Sequence, residues 1–311
     1  MAITAAMVKE LRELSGAGMM DCKKALNETN GNMDEAVEYL RKNGQAKAEK
    51  KASRIAAEGI VKVAVKENTA AIVEVNSETD FVAKNEKFQT YVGKVAEQAL
   101  ASNAADMDAF MEEAWLEDSS KTVKDVLVEQ VAVIGENLKI RRFEKVTAEN
   151  GCIVDYIHGG GRIGVIVAAK TETVNDTVKD AMKNIAMQIA ALNPKYIDRS
   201  EVSAEYIAHE KEILLAQIQN DPKESQKPEK VINGMIEGRV NKELKEICLV
   251  DQVYVKAEDG KQTVGKYLEA VSKEVGTTVS IQKFIRFETG EGLEKKNEDF
   301  AAEVAAQMQG N

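Results

Sequence analysis

Glu74-Val75-Asn76-Ser77-Glu78-Thr79-Asp80-Phe81-Val82-Ala83-Lys84 begins with the pattern of a half-buried strand and ends on an aromatic residue that the strand pattern does not require. Upstream, Val61, Val63 and Val65 alternate with Lys62, Ala64 and Lys66, and past Glu67-Asn68-Thr69 the apolar positions resume at Ile72, Val73 and Val75. The two runs predict an antiparallel hairpin. Downstream, Phe88, Tyr91, Val92, Val95 and Ala99 recur at helical spacing. Thr79 to Lys84 is therefore a short strand-to-helix connection with Asp80 and Phe81 at its apex. Two readings of the apex stand side by side: Asp80 caps the helix while Phe81 staples it to the core, or both side chains face a partner.

The hairpin recurs. Gly59-Ile60-Val61 through Val73 to Ser77-Glu78-Thr79 parallels Gly151-Cys152-Ile153-Val154 through Val167 to Thr171-Glu172-Thr173, and each copy is followed by a helix. Closing strands match as well: Leu138 to Glu144 follows Ile134-Gly135, and Val279 to Glu288 follows Val275-Gly276. The pattern predicts an α+β chain with two related subdomains, 59–147 and 148–288, each a small antiparallel sheet backed by helices. The second copy carries an insertion, 198–247, with apolar stripes from Val202 to Ile218 and from Val231 to Ile247 around a turn at Asp221-Pro222 to Pro228. An antiparallel helical hairpin follows from that spacing. Two helices cannot bury both stripes alone, which leaves apolar surface for another chain, including a second copy in a homodimer.

Residues 1–44 read as three short helices. Thr4 caps the first, which carries Val8, Leu11 and Leu14 and breaks at Ser15-Gly16-Ala17-Gly18. The second carries Met20, Ala25 and Leu26; the third starts at Asn32, carries Ala36, Val37 and Leu40, and stops at Asn43-Gly44. Such a bundle resembles ubiquitin-associated domains. Gly18, Met19 and Met20 combine a tight turn with flexible apolar side chains, and either contact a partner or pack the bundle. Residues 45–58, with the Lys- and Ala-rich run QAKAEKKASR, read as a solvated helical linker. The tail, 289–311, reads as a loop and a short amphipathic helix around Asp299-Phe300-Ala301-Ala302-Glu303-Val304, able to dock on a partner.

Composition narrows the function classes. A net charge of −10 over 311 residues argues against a nucleic-acid or anionic-membrane surface as the main partner. No run approaches a membrane span and no basic-then-apolar signal segment opens the chain, so a cytoplasmic protein is expected. Cys22, Cys152 and Cys248 are widely spaced, which fits reduced structural thiols and no metal or cofactor. With His158 and His209 as the only histidines, an enzyme lacks a paired base and nucleophile. His158 remains the better candidate of the two. Gly159-Gly160-Gly161-Arg162 joins two strands and opens no helix, so it reads as a hairpin turn and not a phosphate loop.

Two long stretches, Leu11 to Leu26 with Ser15-Gly16-Ala17-Gly18-Met19-Met20 at its centre and Glu74 to Lys84, resemble the signatures of the bacterial translation elongation factor Ts family, and the likeness covers essentially the whole chain. Ser15 stands where that family usually has Thr. The resemblance implies a nucleotide exchange factor for elongation factor Tu, acting without covalent chemistry on the GDP-bound and nucleotide-free GTPase. It implies that Thr79, Asp80, Phe81 and Val82 form the wedge loop, with Asp80 and Phe81 entering near the Mg²⁺ and phosphate site and Val82 itself left in the core. It further implies contacts by Gly18, Met19, Met20 and Phe300 on a helix of the same domain, by Ile134 and Gly135 near the phosphate loop, and by His158 elsewhere on the partner. The rival class is a scaffold that binds ubiquitin-like domains through the N-terminal bundle.

Overall fold

Thr4, Gly18 and Asn32 stand at the N-caps of the first three helices in the computed structural model, which describes residues 2–294. These are α1 (Ala5–Ser15), α2 (Met19–Glu28) and α3 (Met33–Lys51), closed around Val8, Leu11, Cys22, Ala25, Leu26 and Ala36. Then come β1 (Glu58–Lys66), β2 (Thr69–Ser77), the one-turn helix α4 (Asp80–Ala83), α5 (Glu86–Ala101), α6 (Met107–Glu112), β3 (Ala114–Trp115), β4 (Asp118–Thr122), α7 (Val123–Ile134) and β5 (Lys139–Thr147). The second repeat contains β6 (Gly151–His158), β7 (Ile163–Lys170), α8 (Asp176–Leu192), the hairpin α9 (Ala204–Asn220) and α10 (Glu229–Ile247), α11 (Val264–Val275) and β8 (Ser280–Glu288).

The helix α3 does not stop at Asn43-Gly44 as the sequence pattern suggests. It continues to Lys51 through the linker, which is helical and mostly exposed, while Ala48 packs against the core of the first repeat. Gly44 is buried, and a Cβ there would sit 3.4 Å from the Ala132 Cβ on α7. Its glycine serves close helix approach and not a C-cap, and the two uses look alike in sequence.

The repeat read from sequence is a repeat of topology. Antiparallel sheets β1-β2-β5 and β6-β7-β8 share one strand order, with register shifts at Glu74/Val75 and at Ala168/Ala169. One face of each sheet packs on the other, Val61, Ala70 and Ile72 meeting Ile166, Ala168, Ile285 and Phe287. The outer face of the first sheet holds Phe88, Val92 and Val95 of α5 and Val126 and Val131 of α7; that of the second holds Val178 and Ile185 of α8 and Val271 of α11. The order is helices, sheet, sheet, helices.

This layering overturns the half-buried reading of β2. Every residue from Ala70 to Ser77 is buried, because the central strand is covered on both faces. The unbroken run Ala70-Ala71-Ile72-Val73 carries that signal in the sequence. Where the sheets meet, a Cβ on Gly164 would fall 2.4 Å from Val61 Cγ1. Gly164→Val is therefore expected to lower stability by about 1–3 kcal/mol through overpacking, read as a lower urea midpoint; an unchanged midpoint would show that the sheets can separate freely.

In the inserted hairpin, Val202, Ile218, Ile236, Val240, Leu244 and Cys248 are buried together, while Ile213, Leu215 and Val231 stay exposed.

Candidate functional site

β2 delivers a buried Ser77 and the chain must then turn out of the sheet. Thr79, two residues past the strand and in extended conformation, caps α4: its Oγ1 accepts from the Val82 amide at 3.3 Å. The cap is thus Thr79 and not Asp80, whose place is the first helical position, where a carboxylate is favoured by the helix dipole. Asp80 accepts from Lys84 Nζ at 2.6 Å, and that hydrogen bond holds its carboxyl below the ordinary range. Phe81 is 82% exposed, so the staple reading falls. The same turn points Val82, half-buried, and Ala83, buried, into the core of the first repeat. Asn85 then caps α5 by accepting from the Lys87 and Phe88 amides.

Glu136, which no periodicity singles out, holds this turn from behind. Its Oε2 accepts from the Glu78 and Thr79 amides, both at 3.1 Å, and its Oε1 accepts from the Thr79 hydroxyl at 2.7 Å. The exchange is mutual, since Glu78 Oε1 accepts from the Asn137 amide at 2.6 Å. Charge-assisted bonds of this kind are shorter and stronger than neutral ones.

The end of α3 closes the group. Lys51 Nζ donates to the Gly135 carbonyl, Arg54 lies 3.5 Å from Glu78 Oε1, and Asn137 Nδ2 donates to the Arg54 carbonyl at 2.8 Å. Burial first, then the neighbouring Arg54, pushes the Lys51 pKa below its ordinary value. Ile134 and Gly135 are thereby brought beside the Asp80-Phe81 turn: Ile134 is half-buried, and Gly135, at φ 89, is the exposed left-handed residue that ends α7.

The remaining candidates lie apart in the chain. Met19 and Met20, 58% and 76% exposed, begin α2 after Gly18, which excludes the bundle-packing reading for both. His158 is exposed at the end of β6, with Nδ1 3.0 Å from the Tyr156 hydroxyl. Gly159, Gly160 and Gly161 all have positive φ in the turn from β6 to β7, and the Gly161 carbonyl accepts from the Val61 amide at 2.7 Å. Phe300 lies outside the described residues.

An exposed aromatic on a braced turn and two exposed methionines at the start of α2 are large apolar side chains left uncovered in the free chain. A family model described as elongation factor TS matches residues 78–291. Elongation factor Ts of Clostridium novyi (strain NT) is 51% identical over 308 residues, covering 98% of this chain and 99% of that relative. The proteins of the same name from Clostridium tetani and Clostridioides difficile are each 50% identical, over 99% and 98% of this chain and 100% and 99% of their own lengths. The chain belongs to the elongation factor Ts family and is a translation elongation factor. No described helix is long and apolar enough to cross a membrane.

Proposed function

We propose that the protein is a guanine nucleotide exchange factor for elongation factor Tu, working in the cytoplasm by wedging Phe81 into the GTPase domain. The observation that carries this reading is the 82% exposure of Phe81 on a turn whose neighbours are anchored in the core. Asp80 would disturb the surroundings of the partner's Mg²⁺ by its charge. The bundle of residues 1–44, UBA-like in its three helices, would anchor through Met19 and Met20, and the exposed apolar residues of the α9–α10 hairpin would meet another part of the partner or a second copy of the chain.

Linkage sets the terms. An exchange factor must bind the nucleotide-free partner better than the GDP-bound one, so factor and GDP weaken each other equally. Burying one Phe yields about 1.5–3 kcal/mol, roughly ten- to a hundredfold. A larger acceleration has to come from a strong contact already present, and a Mg²⁺ that demands near-ideal octahedral geometry is the natural target. Fluorescent GDP release from the purified GTPase tests both parts. Chelating Mg²⁺ is expected to speed spontaneous release and to shrink the fold-acceleration given by this protein. Equal acceleration with and without Mg²⁺ would discard metal displacement and move the effect to Ile134 and Gly135; binding with no acceleration would leave a scaffold.

A further inference from the structure

Resting on the exchange reading, we propose that Glu136 is a positioning residue for the wedge, fixing the direction in which α4 presents Phe81. Three donors at the base of the turn, the Glu78 and Thr79 amides and the Thr79 hydroxyl, converge on its one carboxylate. The carboxylate binds the two residues that immediately precede α4, while Thr79 at the same time caps that helix through Val82. A helix of four residues has almost no stability of its own, because nucleation costs more than one turn returns. Its orientation must therefore be supplied from outside. Val82 and Ala83 supply it on the core side, and Glu136 supplies it at the N-terminal end, where the helix dipole also favours a negative charge.

The same residue joins two surfaces. Glu136 follows Gly135 directly, and the reciprocal bond from Asn137 to Glu78 prevents one loop from shifting without the other. The wedge and the Ile134-Gly135 turn then meet a partner as one preorganised surface. Preorganisation of this kind lowers the ordering cost at the moment of binding. A wedge that must push a partner's element aside loses most from slack, since a mobile aromatic can reach its pocket without transmitting force.

The test compares Glu136→Ala, Glu136→Gln, Phe81→Ala and the Glu136→Ala/Phe81→Ala double variant in stimulated release of fluorescent GDP from the partner GTPase. Glu136→Ala is expected to lower the maximal release rate about tenfold, the worth of one charge-assisted hydrogen bond, with the half-saturating concentration nearly unchanged. Glu136→Gln, which keeps one acceptor oxygen, is expected to fall between. In the free protein, the Val82 and Ala83 amides should exchange hydrogen faster in Glu136→Ala than in the parent. The double variant should be no slower than Phe81→Ala alone, because the bracing matters only through Phe81. A full maximal rate in Glu136→Ala overturns the proposal, as do losses that multiply in the double variant. Should Glu136→Ala not fold, Glu136→Gln is read against the same criteria. If Phe81→Ala itself keeps the full rate while the α4 amides are loosened in Glu136→Ala, the wedge reading has failed and the bracing is structural only.

Discussion

Phe81→Ala is expected to slow stimulated GDP release about ten- to a hundredfold while leaving the thermal midpoint within about 2 °C of the parent. The asymmetry follows from exposure. The ring is 82% exposed, so truncation removes little that the free protein uses, and all of the apolar surface that a partner would cover. Thr79 still caps α4 and Asp80 still pairs with Lys84 in the variant, because neither bond involves the ring. A midpoint several degrees lower with exchange untouched would mean that Phe81 packs at home.

The largest stability effect is expected at Glu74, whose side chain is fully buried in β2. Its carboxylate accepts from Arg141 Nη1 at 3.0 Å, Arg142 Nε at 2.6 Å, Asn76 Nδ2 at 3.1 Å and the Gly290 amide at 2.8 Å. Glu74→Ala strands these donors and is expected to cost about 3–5 kcal/mol in urea denaturation. A loss below about 1 kcal/mol would show that the arginines escape to water. Burial alone would raise the Glu74 pKa, but the hydrogen bonds from Gly290, Arg141, Asn76 and Arg142 outweigh it, and the net direction is down. A depressed folded-state pKa contributes stability above the ordinary carboxylate value, about 4.3, and that contribution is lost as pH falls through the folded value. Stability should therefore drop on acidification more steeply in the parent than in Glu74→Ala, and parallel pH profiles would contradict it.

Helix and hairpin positions were legible because burial is periodic there: α5 and both β-hairpins fall where apolar spacing puts them, and α8 follows the second hairpin as the repeat requires. The repeat was legible because two copies of one topology need glycines and apolar runs at matching places, Gly59 beside Gly151 among them. Errors arose where one residue type serves two purposes. Gly44 looks like a helix stop and is a close contact; Asp80 looks like a cap and is preceded by the true one, Thr79. Double coverage of β2 depends on the second sheet, which lies about ninety residues away in the chain and which no local window includes. Of the turn from Thr79 to Lys84, the apex was legible as a departure from pattern. Its support was not, because Glu136 sits in a turn without periodicity and its role exists only through contacts 57 and 58 residues away.

The unbroken course of α3 bears on how the protein meets a partner. Nineteen residues at about 1.5 Å each give a rod of roughly 28 Å, packed among the bundle helices at one end and joined to Gly135 at the other. In the complex proposed above, this rod would set the spacing between the bundle that carries Met20 and the turn that carries Phe81, like the jaws of a caliper. A flexible tether would accept many spacings between two docking points and gain only from effective concentration. A rod would accept one, so under the proposed function a partner would be gauged for length as well as for its individual contacts.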